Sequence, residues 1–165
     1  MRSLRSFAKA FRKKKDMKIV FVNGSPNKNG NTRALAEKLI GTRDYELLDL
    51  NDYRINNYGQ SLPGDQFDEV VNKIKEADVV IMGSPVYWHN ICGSLRNFLD
   101  RCYGPIRSGE FKGRKLAFVF QGASPEKWML EAGEYTMSRF AGLYGFEYLG
   151  MACNAAQAQE VGKKL

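Results

Sequence analysis

Metal ligands are scarce in this chain. It has one histidine, His89, and three cysteines, Cys92, Cys102 and Cys153, among 165 residues. The odd cysteine count, the wide spacing and the lack of any C-x-x-C pair argue against a disulfide framework and against a zinc or iron–sulfur site. A reducing cytoplasm is the setting this usage predicts. Long apolar runs are also missing: none approaches the roughly 20 residues that span a bilayer, and no apolar core of a secretory signal follows the basic start. No repeat or low-complexity stretch appears. What remains is a chain with 44% hydrophobic residues, enough at this length to bury the core of one domain without a cross-link.

The body also lacks an excess of positive charge. The net charge is +7, but residues 1–16 hold seven Lys/Arg and one acid, leaving 18 of the 25 bases against 17 of the 18 acids. A nucleic-acid groove needs bases clustered through the fold, often with aromatic or helix-turn-helix signatures, and neither is present. The leader MRSLRSFAKAFRKKK sets Leu4, Phe7, Ala8 and Phe11 on one helical face, opposite Arg2, Arg5, Lys9 and Lys13. An isolated helix of about 15 residues is marginal in water. Residues 1–16 therefore read as a disordered tail before a domain spanning 17–165, or as sequence upstream of a true start at Met17. Alternatives are contact with a membrane surface, a partner-binding anchor or, in a eukaryotic source, a transit peptide.

From Met17 onward, apolar runs alternate with helical patterns. MKIVFVN (17–23), YELLDL (45–50), DVVIMGS (78–84), KLAFVFQG (115–122) and FEYLGMA (146–152) read as strands. Between them, Leu35 and Leu39, then Phe67, Val70, Val71 and Ile74, then Leu95, Phe98, Leu99 and Cys102 fall at helical spacing. Residues 125–143 form a fourth helix, and the last dozen residues form a short one. Near-continuous apolar strands separated by helices predict an α/β fold with a doubly wound, five-stranded parallel sheet in the order 2-1-3-4-5. Ligands then gather at the carboxyl ends of the strands, where the winding reverses. Three loops lie there: 23–31, 84–91 and 121–125.

The first of these, GSPNKNGNT, leads straight into a helix, so the N–H groups of Asn31, Thr32 and Arg33 point back into it and favour an anion. Ser25 and Thr32 offer hydroxyls, Asn27, Asn29 and Asn31 offer amides, and Lys28 offers charge. Hydrogen bonds to an ionised group contribute roughly 1.5–3 kcal/mol each, so four or five of them can anchor a phosphate. Ser25 and Thr32 as mere helix caps would leave three asparagines unexplained. The nucleotide P-loop fails, because Gly24 to Gly30 is one residue too long and Asn31 stands where its lysine belongs. The dinucleotide fingerprint fails on glycine spacing, and a receiver domain would need acids where the strand ends read Asn23-Gly24 and Gly83-Ser84. The second loop, GSPVYWHN, places Pro85, Tyr87 and Trp88 on the same rim, where a flat heteroaromatic ring can lie. Phosphate at one end and a flat ring at the other describe FMN.

GSPNKNGNT followed about fifty residues later by SPVYWHNICGSLRNFLDR resembles the flavodoxin-fold NAD(P)H-dependent FMN reductases, in the branch with iron–sulfur flavoproteins and small NAD(P)H:quinone-type oxidoreductases. The resemblance covers Met17 to Met151. It implies that Ser25, Asn27, Asn31 and Thr32 grip the FMN phosphate. It also implies that Pro85, Val86, Tyr87 and Trp88 run along the isoalloxazine, while Gln121, Gly122 and Ala123 border its other side. NADPH or NADH would supply hydride, a small oxidised acceptor such as a flavin or quinone would take it, and the protein would be a homodimer whose neighbouring subunit completes the pocket. Two departures stand out. The basic residue that often follows the first-loop proline is Asn27 here, with Lys28 one later, and NDYRINNYGQSL (51–62) lacks the cysteines of the iron–sulfur members.

A flavin carries the difficult chemistry, so few catalytic side chains are expected. His89 is the one candidate proton donor, its alternative being an incidental histidine. Cys92, near a helix start, is either a reactive thiolate or a small buried residue. Trp128 reads as packing. The competing functional class is a non-catalytic, flavodoxin-type electron carrier. Such carriers are acidic around the flavin, whereas Arg96, Arg101, Arg107 and Arg114 follow the aromatic loop here and suggest an anionic small substrate.

Overall fold

A computed structural model describes residues 16–165. The basic leader of residues 1–16 lies outside the described residues apart from Asp16. β1 (Ile19–Asn23), α1 (Asn31–Ile40), β2 (Glu46–Asp49), α2 (Phe67–Glu76) and β3 (Val79–Tyr87) make up the first half. β4 (Asn90–Ile91), α3 (Gly93–Cys102), β5 (Lys115–Gln121), α4 (Lys127–Tyr144), β6 (Glu147–Ala152) and α5 (Ala155–Gly162) make up the second. A single 3₁₀ turn, Leu50–Asp52, follows β2.

The parallel sheet runs β2-β1-β3-β5-β6, which is the expected order of five strands. β4 is the addition: it pairs antiparallel with the end of β3, through Val86 with Ile91 and Tyr87 with Asn90. β3 consequently runs three residues beyond its expected end and carries Pro85, Val86 and Tyr87 into the hairpin.

Strand alternation divides the core. Val20, Val22, Val80, Met82, Phe118 and Phe120 face α2, α3 and α4. Ile19, Phe21, Ile81, Ala117 and Val119 face α1 and α5. α2 buries the expected Phe67, Val70, Val71 and Ile74, and α3 buries Leu95, Phe98, Leu99 and Cys102. Each is held by apolar area removed from water, at about 25 cal/mol per Å². No helix among the described residues is long and apolar enough to cross a membrane.

Candidate functional site

β1, β3 and β5 end side by side, and their loops converge. Gly24 N–H donates to the Gly83 carbonyl at 2.8 Å, and the Gly24 carbonyl accepts from Ser94 Oγ at 2.8 Å. Thr32 Oγ1 accepts from Gln121 Nε2 at 3.1 Å. Pro85 and Gln121 are register partners, and Gly122 sits so near Val86 that an added Cβ would lie 3.1 Å from the valine Cβ. Loops far apart in sequence thus share one rim.

The first loop folds into successive turns. Asn27 N–H donates to Ser25 Oγ at 3.2 Å, Gly30 N–H to the Asn27 carbonyl at 3.1 Å, and Ala34 N–H to the Gly30 carbonyl at 3.1 Å. That last bond is the first inside α1, so the N–H groups of Asn31, Thr32 and Arg33 precede any intrahelical acceptor. Among the described residues, no side chain caps Gly30 and no acid occupies the first turn of α1. Ser25 and Thr32 therefore do not serve as helix caps: Ser25 closes its own turn, and Thr32 reaches across to β5. An uncapped, acid-free helix start beside two hydroxyls and the Asn27 and Asn31 side chains suits a phosphate monoester.

Lys28 departs from expectation. Its Nζ lies 2.6 Å from both carboxylate oxygens of Asp52, so its charge is already matched by a neighbour in the same rim. The hydrogen bond to Asp52 raises the ammonium above its ordinary pKa. Asn29 is likewise engaged, its Oδ1 accepting from Arg33 Nη1 at 3.0 Å.

The second loop is a tight hairpin turn with Trp88 and His89 at its centre. Their φ angles are +46° and +66°, which two-residue antiparallel hairpins require and which glycine and asparagine adopt most easily. A tryptophan held there is strained, and it is also 95% exposed. Tyr87 is half exposed and Pro85 is buried within the strand. Ser84, fully buried, shapes the bend: its Oγ donates to the Pro85 carbonyl at 2.7 Å and accepts from Cys92 N–H at 2.9 Å. A cavity of about 310 Å³ lies between Val86, Trp88 and His89 on one side and Gly122 to Pro125 and Met129 on the other. The His89 ring meets Trp128 edge-on, with centroids 5.4 Å apart, and Trp128 Nε1 donates to Glu126. Trp128, expected to pack, is half exposed beside His89. Cys92 is buried, its Sγ 3.2 Å from the Gly24 carbonyl.

The arginines do not support an anionic substrate at this cavity. Arg96 pairs with Asp100 at 3.1 Å, Arg101 with Asp65 at 2.7 Å, and Arg114 donates to the Lys75 carbonyl. Arg107 lies in the loop after α3 and is not among the residues lining it. Sequence reasoning also missed Asn23 and Asn51, whose side chains hold Ser25, and Asp49, which accepts from both, because these contacts depend on the pairing of β1 with β2. No group of three or more His, Cys, Asp or Glu among the described residues is placed to hold a metal ion.

An uncapped helix start and an aromatic-edged cleft on the carboxyl rim of a doubly wound sheet make a flavodoxin-like fold with a rim suited to a mononucleotide. The model of one family, described as NADPH-dependent FMN reductase, matches residues 17–158. The chain belongs to that family. It is 34% identical over 126 residues to an iron–sulfur flavoprotein of Methanocaldococcus jannaschii, covering 66% of this chain and 63% of that protein. It is 33% identical over 108 residues to an NADPH azoreductase of Bacillus sp. strain OY1-2, covering 62% and 57%. The chain thus spans between 57% and 63% of the length of these curated relatives. Among solved structures, an azoreductase from Bacillus anthracis matches with a TM-score of 0.70 at 15% identity, covering 90% of this chain and 100% of that one. A likeness at that identity speaks for the fold alone.

Proposed function

We propose that this chain is an FMN-dependent NAD(P)H oxidoreductase that passes reducing equivalents from a nicotinamide to a small oxidised acceptor. The observation that carries this reading is the uncapped, acid-free start of α1 on the same rim as the aromatic hairpin, in a chain of the FMN reductase family. When bound, FMN supplies hydride acceptance and donation. The chain's own residues bind and orient. Ser25, Asn27, Asn31 and Thr32, with the first-turn N–H groups, hold the phosphate. Pro85, Val86, Tyr87 and Trp88 form one wall for the ring, and Gln121, Gly122 and Ala123 form the other. His89, at the cavity mouth, is the group that can deliver a proton to a reduced acceptor. Relatives named as an azoreductase and a quinone-type NAD(P)H dehydrogenase point to a flat organic acceptor.

Anaerobic mixing with NADPH or NADH tests the proposal. Bleaching of the flavin band without any other protein is the expected result, and persistent yellow colour would indicate an electron carrier instead. The unit doing this is a single domain from residue 17 onward, set in a reducing cytoplasm where Cys92, Cys102 and Cys153 stay as free thiols. We also infer a homodimer. Tyr58, Tyr103 and Leu143 are exposed around an apolar cavity of about 480 Å³ between α3 and α4, the kind of surface that association covers. Sedimentation equilibrium giving the mass of one chain would remove that inference.

A further inference from the structure

The end of β2 and the turn after it contribute no residue to the site as read from the sequence, yet they are tied to the anion loop. We propose that Asp49 and Asn51 are positioning residues for the phosphate of FMN, acting by fixing the two peptide units that flank Ser25. The inference rests on the FMN reading above.

Ser25 is held from both sides. Its N–H donates to Asn23 Oδ1 at 3.1 Å, and its carbonyl accepts from Asn23 Nδ2 at 3.3 Å and from Asn51 Nδ2 at 2.8 Å. One of these groups belongs to the peptide before Ser25 and the other to the peptide after it, so both planes are set. A side-chain amide can rotate half a turn and exchange its donor for its acceptor. Asp49 removes that freedom, because a carboxylate accepts and does not donate. Its Oδ2 takes Asn23 Nδ2 at 3.3 Å, and its Oδ1 takes Asn51 N–H at 3.1 Å and Asn51 Nδ2 at 3.0 Å. With both NH₂ groups drawn to Asp49, Asn23 must turn its oxygen towards Ser25 N–H.

The contact is built into the sheet, since Asn23 and Asp49 are register partners at the ends of β1 and β2, and both are buried. Water cannot readily replace an amide there. From Asp49 a continuous chain of hydrogen bonds runs through Asn23, Ser25, Asn27 and Gly30 to Ala34, in the first turns of α1. Losing its anchor lets the loop's donors lose their common direction, and it is a common direction that a phosphate requires.

Flavin-stripped protein titrated with FMN and with riboflavin, followed by flavin fluorescence, tests this. Riboflavin carries the same ring without the phosphate and so reports ring contacts alone. Asn51→Ala, at an exposed position, is expected to raise the FMN Kd about five- to tenfold, the value of one oriented hydrogen bond, and to leave the riboflavin Kd unchanged. Asp49→Asn should raise it further in the same selective way, and if that variant does not fold, Asn51→Ala decides alone. An FMN Kd within twofold of wild type, or equal weakening of both flavins, overturns the proposal. Wild-type protein that binds neither flavin, or binds both alike, overturns the FMN reading itself and this inference with it.

Discussion

Gly83 lies midway along β3 beneath the anion loop, and replacing its hydrogen with a methyl group tests how tightly that rim is packed. A Cβ at this position would lie 2.7 Å from Phe21 Cε2, 2.9 Å from Thr32 Cγ2 and 3.1 Å from Phe21 Cζ. Carbon atoms sit about 3.5–4.0 Å apart at rest, so the neighbours must give by roughly 1 Å. Neither has room. Phe21 is fully buried in the central sheet, and Thr32 is buried and fastened to Gln121. Overpacking of this kind costs about 1–3 kcal/mol, which for a chain of this size lowers the melting temperature by about 2–12 °C. Because one of the displaced groups is Thr32, FMN affinity should fall as well, by about tenfold for one weakened charge-assisted hydrogen bond. Thermal unfolding by circular dichroism and an FMN titration of Gly83→Ala read the two effects. Gly142→Ala is the contrast: it lies within α4 with nothing within 4 Å of its would-be Cβ, and should stabilise by up to about 1 kcal/mol. A Gly83→Ala protein that melts like wild type and binds FMN equally well would refute the reasoning.

Three further outcomes are expected. Converting the strained turn to Asn-Gly, with Trp88→Asn and His89→Gly together, should raise stability by about 1–2 kcal/mol while lowering turnover, as read by chemical denaturation and by NADPH oxidation. Burial pushes the Cys102 thiol up to about 12 and the Cys153 thiol up to about 11, so at pH 8 the Cys102 thiolate is roughly one part in ten thousand. Native protein should label slowly at both positions and rapidly once unfolded. Burial opposes ionisation of Asp65, but its hydrogen bond to Arg101, with those from the N–H groups of Asn56 and Phe67, holds its carboxyl below the ordinary range. A lowered folded-state pKa means this stabilisation is complete above the unfolded value near pH 4 and fades as pH falls through the folded one. The melting-temperature gap between wild type and Arg101→Met should accordingly be widest near neutrality and narrow in acid.

The strand–helix alternation was legible because burial on both faces leaves nearly unbroken apolar runs such as IVFVN and VVIM. The polar loop leading into α1, proposed to hold the phosphate, stood out because hydroxyls and amides crowd into the nine residues GSPNKNGNT. β4 did not, since Trp-His carries none of the Asn-Gly signal of a tight hairpin turn, and a two-residue strand has no period to detect. The arginines misled for a related reason: their position in sequence says nothing of Asp65, Asp100 or the Lys75 carbonyl, which claim three of them. Lys28 misled in the same way through Asp52. Asn23, Asp49 and Asn51 read as ordinary loop residues until the pairing of β1 with β2 brings them together.

α5 lies against the back of α1 with its Gly162 so close that any side chain there would strike the carbonyl oxygen of Leu39. The helix whose first turn is proposed to hold the phosphate is thus propped from behind by α5. Anyone shortening this protein at Cys153 for crystallisation should expect a colourless preparation, because α1 would lose the support of α5.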